Sequence, residues 1–299
     1  MKRLSWIGGF VVSIVAIAYF LMLQSCAEGG GASESKLIPT DSVAVVQSGL
    51  MRYNGQIISI PSPVHIVNLF KEQNIAFKPD LTNPVASIHR YNLEAKKAVN
   101  LGILGADMAY VSHFNDAQLS SAYFAGLYTL AKELDLDSHI DNEIIEAVKQ
   151  NFGSRDSLLS LNGRFFQACD FYLRNNGRRD VSSLILLGAW VESMHLACQY
   201  AEQYPLIMQR VGEQRYSAAS IGSLCNSIDS SQTIHWKADL VELCGDLYSL
   251  QSEYSYKPPV EDVQNKITYI KSSTTVTIDA ARLAAIKSRV DAIRKSMIE

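Results

Sequence analysis

Glu192, His195 and Gln199 recur at i, i+3 and i+7 of an otherwise apolar segment, "VSSLILLGAWVESMHLACQYA" (181–201). On a helix that spacing puts all three on one stripe. Glu-x-x-His is the pair that di-metal carboxylate bundles project into their cores. Such a bundle needs two copies of the pair and two further carboxylates, and this chain has one copy. A further carboxylate is offered by Asp107, in "YNLEAKKAVNLGILGADMAYVSHFN" (91–115), where Asn100 and Asp107 share a stripe. His113 falls roughly 120° away on the same helix. If the two helices pack together, Asp107 approaches Glu192, and Asp107, Glu192 and His195 form a candidate ligand or metal pocket. The competing reading is a wetted polar strip facing a satisfied buried carboxylate.

Other reactive side chains are less well placed. His65, His89, His139 and His235 fall at helix ends or in loops, where a histidine is ordinarily structural or solvated. Arg174, Arg178 and Arg179 cluster in "LRNNGRRDVSS"; an anion at the following helix N-terminus is one reading, and Asn-Gly as C-cap with Asp180 as N-cap is the simpler one. Cys169, Cys198, Cys225 and Cys244 sit in apolar helical segments and read as small buried hydrophobes. A Cys225–Cys244 bridge is the alternative. There is no Cys-x-x-Cys, Gly-x-Ser-x-Gly, P-loop, dinucleotide fingerprint or His-Glu-x-x-His, so no catalytic residue and no cofactor is assigned, and the balance lies against an enzyme. The 14 tyrosines read as core material with hydroxyls at the rim, or as a groove for a partner or glycan.

These residues need a scaffold, and the periodicity supplies one. Residues 37–60 carry β-branched residues around Gly and Asn-Gly and read as a short extended segment. Ser62-Pro63 reads as an N-cap and first helical position, and "IAFKPDLTNP" as a loop. From there to the end the chain reads as roughly nine helices with short connections, an all-α multi-helix bundle. Asp116, Asp141 and Asp279 are expected caps. "VEDVQNKITYIKSS" (260–273) is expected to be helical and "TTVTI" extended. "LGILGA" (101–106) and "LILLGA" (184–189) repeat a glycine inside a helix. Such a glycine costs about 1 kcal/mol against alanine, so Gly105 and Gly188 are expected to mark a close helix crossing, one against the other.

The chain of 299 residues has 47% apolar content and a formal net charge of −3. No clustered basic surface suggests a nucleic-acid partner. The N-terminus has Lys2 and Arg3, an uncharged apolar run from Leu4 to Leu23, and then Leu23-Gln24-Ser25-Cys26. A permanent membrane helix and ordinary secretion are both compatible with the apolar run. The last four residues resemble a bacterial lipobox, which implies cleavage before Cys26 and acylation of its thiol. "AEGGGASES" then has the composition of a flexible tether. The expected organisation is a lipoprotein signal peptide (1–25), a tether (26–36) and one α-helical domain (37–299).

"IPSPVHIVNLFKEQNIAFKPDLTNP", "YNLEAKKAVNLGILGADMAYVSHFN" and "LILLGAWVESMHLA" together resemble an uncharacterised family of helical lipoproteins of Bacteroidota. The resemblance implies location and class but no activity. The expectation is a protein lipid-anchored at Cys26, in the outer membrane facing the periplasm. Its expected contacts are the membrane through that lipid and other envelope proteins. A non-enzymatic binding or assembly-support module is the preferred role, and a ligand- or metal-binding bundle using Asp107, Glu192 and His195 is the alternative.

Overall fold

Two helices form the axis of the molecule: α2 (Glu94–His113) and α6 (Arg179–Cys198). The computed structural model describes residues 50–53, 56–59, 63–228, 235–262, 264, 266–270 and 272–299. Cys26, its lipobox and tether, Ser62 and the Asn54-Gly55 pair lie outside the described residues. Every residue of α2 from Ala98 to Ser112 is buried, because the segment is apolar on all sides and must be surrounded. Helix α6 is buried over most of its length as well, with Leu186 and Ala189 half-buried. It is long and apolar enough to cross a bilayer, yet 89% of its apolar window is buried against the rest of the protein.

The axis is tight because glycines remove Cβ atoms from the crossing. A Cβ at Gly188 would lie 2.0 Å from the Val99 carbonyl oxygen, and one at Gly102 would lie 1.9 Å from that of Ile185. The two backbones therefore touch directly. This revises the expected pairing of Gly105 with Gly188: Gly102 is the partner glycine across the crossing, and Gly105 instead accommodates the ring of Phe166. The repeat placed the right glycine on α6 and the wrong one on α2, which presents two glycines three residues apart.

Around this axis pack α1 (Pro63–Glu72), α3 (Ala117–Glu133), α5 (Arg155–Asn175) and the C-terminal α10 (Ala280–Ile298). The short α4 (Asn142–Gln150) lies on α5, while α7 (Pro205–Glu213) contacts α6, and α8 (Arg215–Ser227) pairs with α9 (Lys237–Tyr248). The fold is thus an all-α bundle, with ten α-helices among the described residues. Helix α10 buries Leu283, Ile286, Val290, Ile293 and Met297, a stripe at helical spacing. Asp116 accepts from the Leu119 amide at 2.8 Å and Asp279 from that of Arg282 at 2.7 Å, each satisfying an otherwise unpaired helix-start donor. Asp141 precedes α4 without a side-chain cap bond. Asp180 lies inside the first turn of α6, whose N-cap is Arg178, while Gly177 takes the left-handed conformation (φ 74°) expected after a helix.

Three short antiparallel pairings complete the molecule. β1 (Leu50–Tyr53) pairs with β2 (Gln56–Ser59), as the extended reading of that segment anticipates. Between α9 and α10, β3 (Gln251–Ser255) pairs with β6 (Ser273–Thr277), and β4 (Val260–Asp262) with β5 (Ile267–Tyr269). The last pair corrects the expected helix over 260–273. A helix there would need an apolar face buried against the body, and the segment meets none: β5 is exposed throughout. Its β-branched and aromatic residues pair across a turn at Lys266 (φ 55°) instead. The result is a two-stranded arm. Val276 anchors its base against Gly212 of α7, and Arg215 donates to the Tyr248 carbonyl at 3.2 Å.

Candidate functional site

Where α2, α6 and α10 meet, the apolar core is interrupted by a polar cluster. Asp107 (α2) and Glu192 (α6) are both fully buried and close enough for the charge of Glu192 to act on the Asp107 carboxyl. Their approach follows from the glycine crossing. His195 lies one turn further along α6, but faces a different set of partners.

Glu192 is held by Arg294 of α10 in a two-pronged pair, Nε to Oε2 at 2.6 Å and Nη2 to Oε1 at 2.9 Å. Arg294 also donates to the Leu81 carbonyl at 3.0 Å. Burial alone would weaken the guanidinium's hold on its proton, but the charge of Glu192 more than offsets it. Asp107 accepts from the Asn83 amide at 3.0 Å through Oδ2, and its other oxygen has no donor among the described residues. Burial and the adjacent Glu192 charge hold the Asp107 carboxyl well above the usual carboxylate range. Two carboxyls facing one guanidinium in a dry core leave one negative charge too many, and a proton retained on Asp107 removes it and supplies a donor toward Glu192.

His195 has Nδ1 2.7 Å from Asp291 Oδ1 and Nε2 3.2 Å from the Leu81 carbonyl. Both neighbours are acceptors, so the ring donates on whichever side carries hydrogen. Gln199 donates to Asp291 at 3.2 Å and accepts from Lys287 at 2.6 Å. Burial would raise the Asp291 carboxyl, but His195, Lys287 and Gln199 together hold it below the usual range.

The common target of these groups is the connection between α1 and α2. Its Leu81 carbonyl accepts from Arg294 and lies 3.2 Å from His195 Nε2. Its Asn83 donates side-chain hydrogens to Tyr91 at 3.0 Å and accepts the Tyr123 hydroxyl at 3.0 Å through its carbonyl. Further back, Tyr200 donates to the Ala76 carbonyl at 3.0 Å, and the Lys78 amide donates to Tyr110 at 3.0 Å. Asn100 ties the cluster to the chain end through the Met297 carbonyl at 2.9 Å. The α6 stripe meets Lys287, Asp291 and Arg294, and sequence reasoning missed these three as well as Asn83, which holds Asp107. Their signal was the spacing of Lys287, Asp291 and Arg294 at i, i+4 and i+7 on the last helix.

Chemically, both oxygens of Glu192 are engaged by a guanidinium, so a divalent cation placed there would meet a fixed positive charge. Among the described residues no group of three His, Cys, Asp or Glu side chains is arranged to hold a metal ion. The cluster suits an ion-pair lock that fastens an irregular segment to three helices. His113 stands apart at the far end of α2; burial and the charges of Arg155 and Lys71 lower it to about 4. Arg178 is engaged by the Leu134 carbonyl and Glu94, and Arg174 by Asp170, so two of the clustered arginines have protein partners. The four described cysteines are free and buried, as the small-hydrophobe reading expects, and burial pushes the Cys169 and Cys198 thiols up to about 12, far from a reactive thiolate.

The fold and the cluster define an all-α bundle with a locked polar core. No protein-family model, curated protein or solved structure matches the chain.

Proposed function

We propose that this chain is a lipoprotein anchored through acylated Cys26 in the outer membrane and facing the periplasm. Its helical body serves as a non-enzymatic binding or assembly-support module for envelope proteins. The observation that carries the binding role is the β3–β6 arm. Tyr254, Tyr256, Val260, Ile267, Tyr269 and Ile270 are all exposed on it, Ile270 at 81%. A two-stranded ribbon is marginally stable in water on its own, and clustered exposed aromatic and aliphatic side chains mark contact surfaces. The lock supports the non-enzymatic reading, because its acid and base groups are bound to one another. The lipobox and the Gly/Ser-rich tether support the anchor.

The test has two arms. Palmitate-analogue labelling is expected for the wild-type chain and absent for Cys26→Ala; equal labelling of both refutes the anchor. Affinity purification from the native envelope is expected to recover a reproducible partner that Tyr254→Ser/Ile270→Ser loses and Cys26→Ala retains after detergent extraction. A partner set indifferent to the arm substitutions refutes the binding role assigned to it.

A further inference from the structure

Well before the arm in the chain, α5, α4 and the 3₁₀ turn Asp137–His139 line an open groove of about 550 Å³. That size falls within the range of small-molecule sites, about 300–1,000 Å³. Helix α5 contributes Arg164, Gln167, Phe171 and Asn175 to the lining. Their spacing of i, i+3, i+7 and i+11 puts them on one face. His139 and Asp141 complete the polar lining.

Phe171 is 72% exposed, the most exposed phenylalanine of the described body. The next residue, Tyr172, is fixed: His139 stacks on it with ring centroids 3.5 Å apart. By contrast, the side chains of Arg164, Gln167, Asn175, His139 and Asp141 make no hydrogen bond or ion pair among the described residues. All five are exposed, so the groove combines an uncovered aromatic ring with polar groups that have water and no protein group as partner.

The composition of that set selects the ligand. Arg164 only donates, the Asp141 carboxylate only accepts, and the Gln167 and Asn175 amides do both. The formal charges of Arg164 and Asp141 cancel. An anion would meet Asp141 and a cation would meet Arg164, while an amphipathic helix requires an apolar groove. A hydroxyl both donates and accepts, and a sugar ring adds an apolar C–H face to its rim of hydroxyls. We propose that this groove binds a neutral oligosaccharide, one ring stacked on Phe171 and its hydroxyls held by Arg164, Asp141, Gln167 and Asn175. This goes beyond the partner-binding reading and does not rest on it, since the arm and the groove are separate surfaces.

The test uses the full chain in detergent micelles, with cellotetraose, chitotetraose and maltotetraose as neutral probes and trigalacturonate as a charged control. Saturation-transfer NMR and calorimetric titration are expected to show at least one neutral probe binding with a Kd of about 1 mM or tighter. Phe171→Ala and Arg164→Ala should each weaken that binding at least about tenfold. Both residues are exposed, so the melting temperature should not change. Three results overturn the proposal: no neutral probe binding at about 10 mM, trigalacturonate binding in place of the neutral probes, or unchanged binding by both variants. None of the three bears on partner capture by the arm, so the two readings fail separately.

Discussion

The buried pair Asp107 and Glu192 makes a quantitative demand on the pH dependence of stability. With Asp107 held well above the usual carboxylate range by burial and by Glu192, the folded protein keeps a proton that the unfolded chain releases near pH 4. The folded state then binds one more proton than the unfolded state. Stability therefore falls as pH rises, by about 1.4 kcal/mol per pH unit. The fall starts near the unfolded value and stops at the folded one, where the proton finally leaves. Asp107→Asn removes the titration and preserves the geometry. The amide oxygen still accepts from Asn83, and the amide nitrogen donates toward Glu192 as the proton did. The stability of Asp107→Asn minus that of the wild type should thus grow with pH above about 4, at up to about 1.4 kcal/mol per unit until the folded-state proton leaves. Glu192→Gln should flatten the profile as well, because Asp107 then becomes the counter-ion of Arg294. Urea unfolding of the three proteins at half-unit pH intervals measures this directly. A difference between Asp107→Asn and wild type that is constant from pH 5 to pH 7 would refute the shared-proton account.

Two further outcomes follow from the packing and the charges. Gly188→Ala should destabilise by about 2 kcal/mol despite alanine's better helix propensity, because its Cβ would fall 2.0 Å from the Val99 carbonyl oxygen. Gly245→Ala, with nothing within 4 Å of its Cβ, should be neutral or stabilise by up to about 1 kcal/mol in thermal unfolding; equal effects at the two sites would remove the crossing argument. His113, lowered to about 4 by burial and by Arg155 and Lys71, acts with the opposite sign to Asp107. The unfolded chain binds its proton first, so stability is lost as pH falls from about 6.5 toward 4, at up to about 1.4 kcal/mol per unit. His113→Phe should abolish that acid sensitivity in urea titrations. An unchanged slope between pH 6.5 and pH 4.5 would contradict it.

The helices were legible because burial imposes periodicity, and α2 and α6 have apolar residues on every side. Their glycines announced a close crossing, and the carboxylates brought together by that crossing followed. What sequence could not supply was the third helix. Lys287, Asp291 and Arg294 lie about a hundred residues from Glu192, on a helix whose exposed face is also rich in charge, so the inward charges carry no distinguishing mark. Asn83 was hidden for a related reason. It sits in "KPDLTNP", which reads as solvent-facing turn chemistry, yet the residue is 1% exposed and bonded to α2 and α3. The error at 260–273 has the reverse origin: its pattern fits a helix only if some surface receives its apolar face.

The same distinction separates three regions of the molecule by what they can do. In the core, Glu192 and Arg294 satisfy each other and a backbone carbonyl, and removing either leaves a buried charge without its partner, an effect of about 3–5 kcal/mol. Groups so committed stabilise one conformation and are poor at receiving a ligand. In the α5 groove, polar side chains of the same types have no such commitments and stand beside an uncovered ring. On the arm it is the apolar side chains that lack partners. A substitution in the core should therefore change stability first and binding only through it. Arg164→Ala in the groove or Ile270→Ser on the arm should change binding at constant stability. Measuring both quantities for one residue from each region decides whether the body is divided between holding and receiving as its contacts imply.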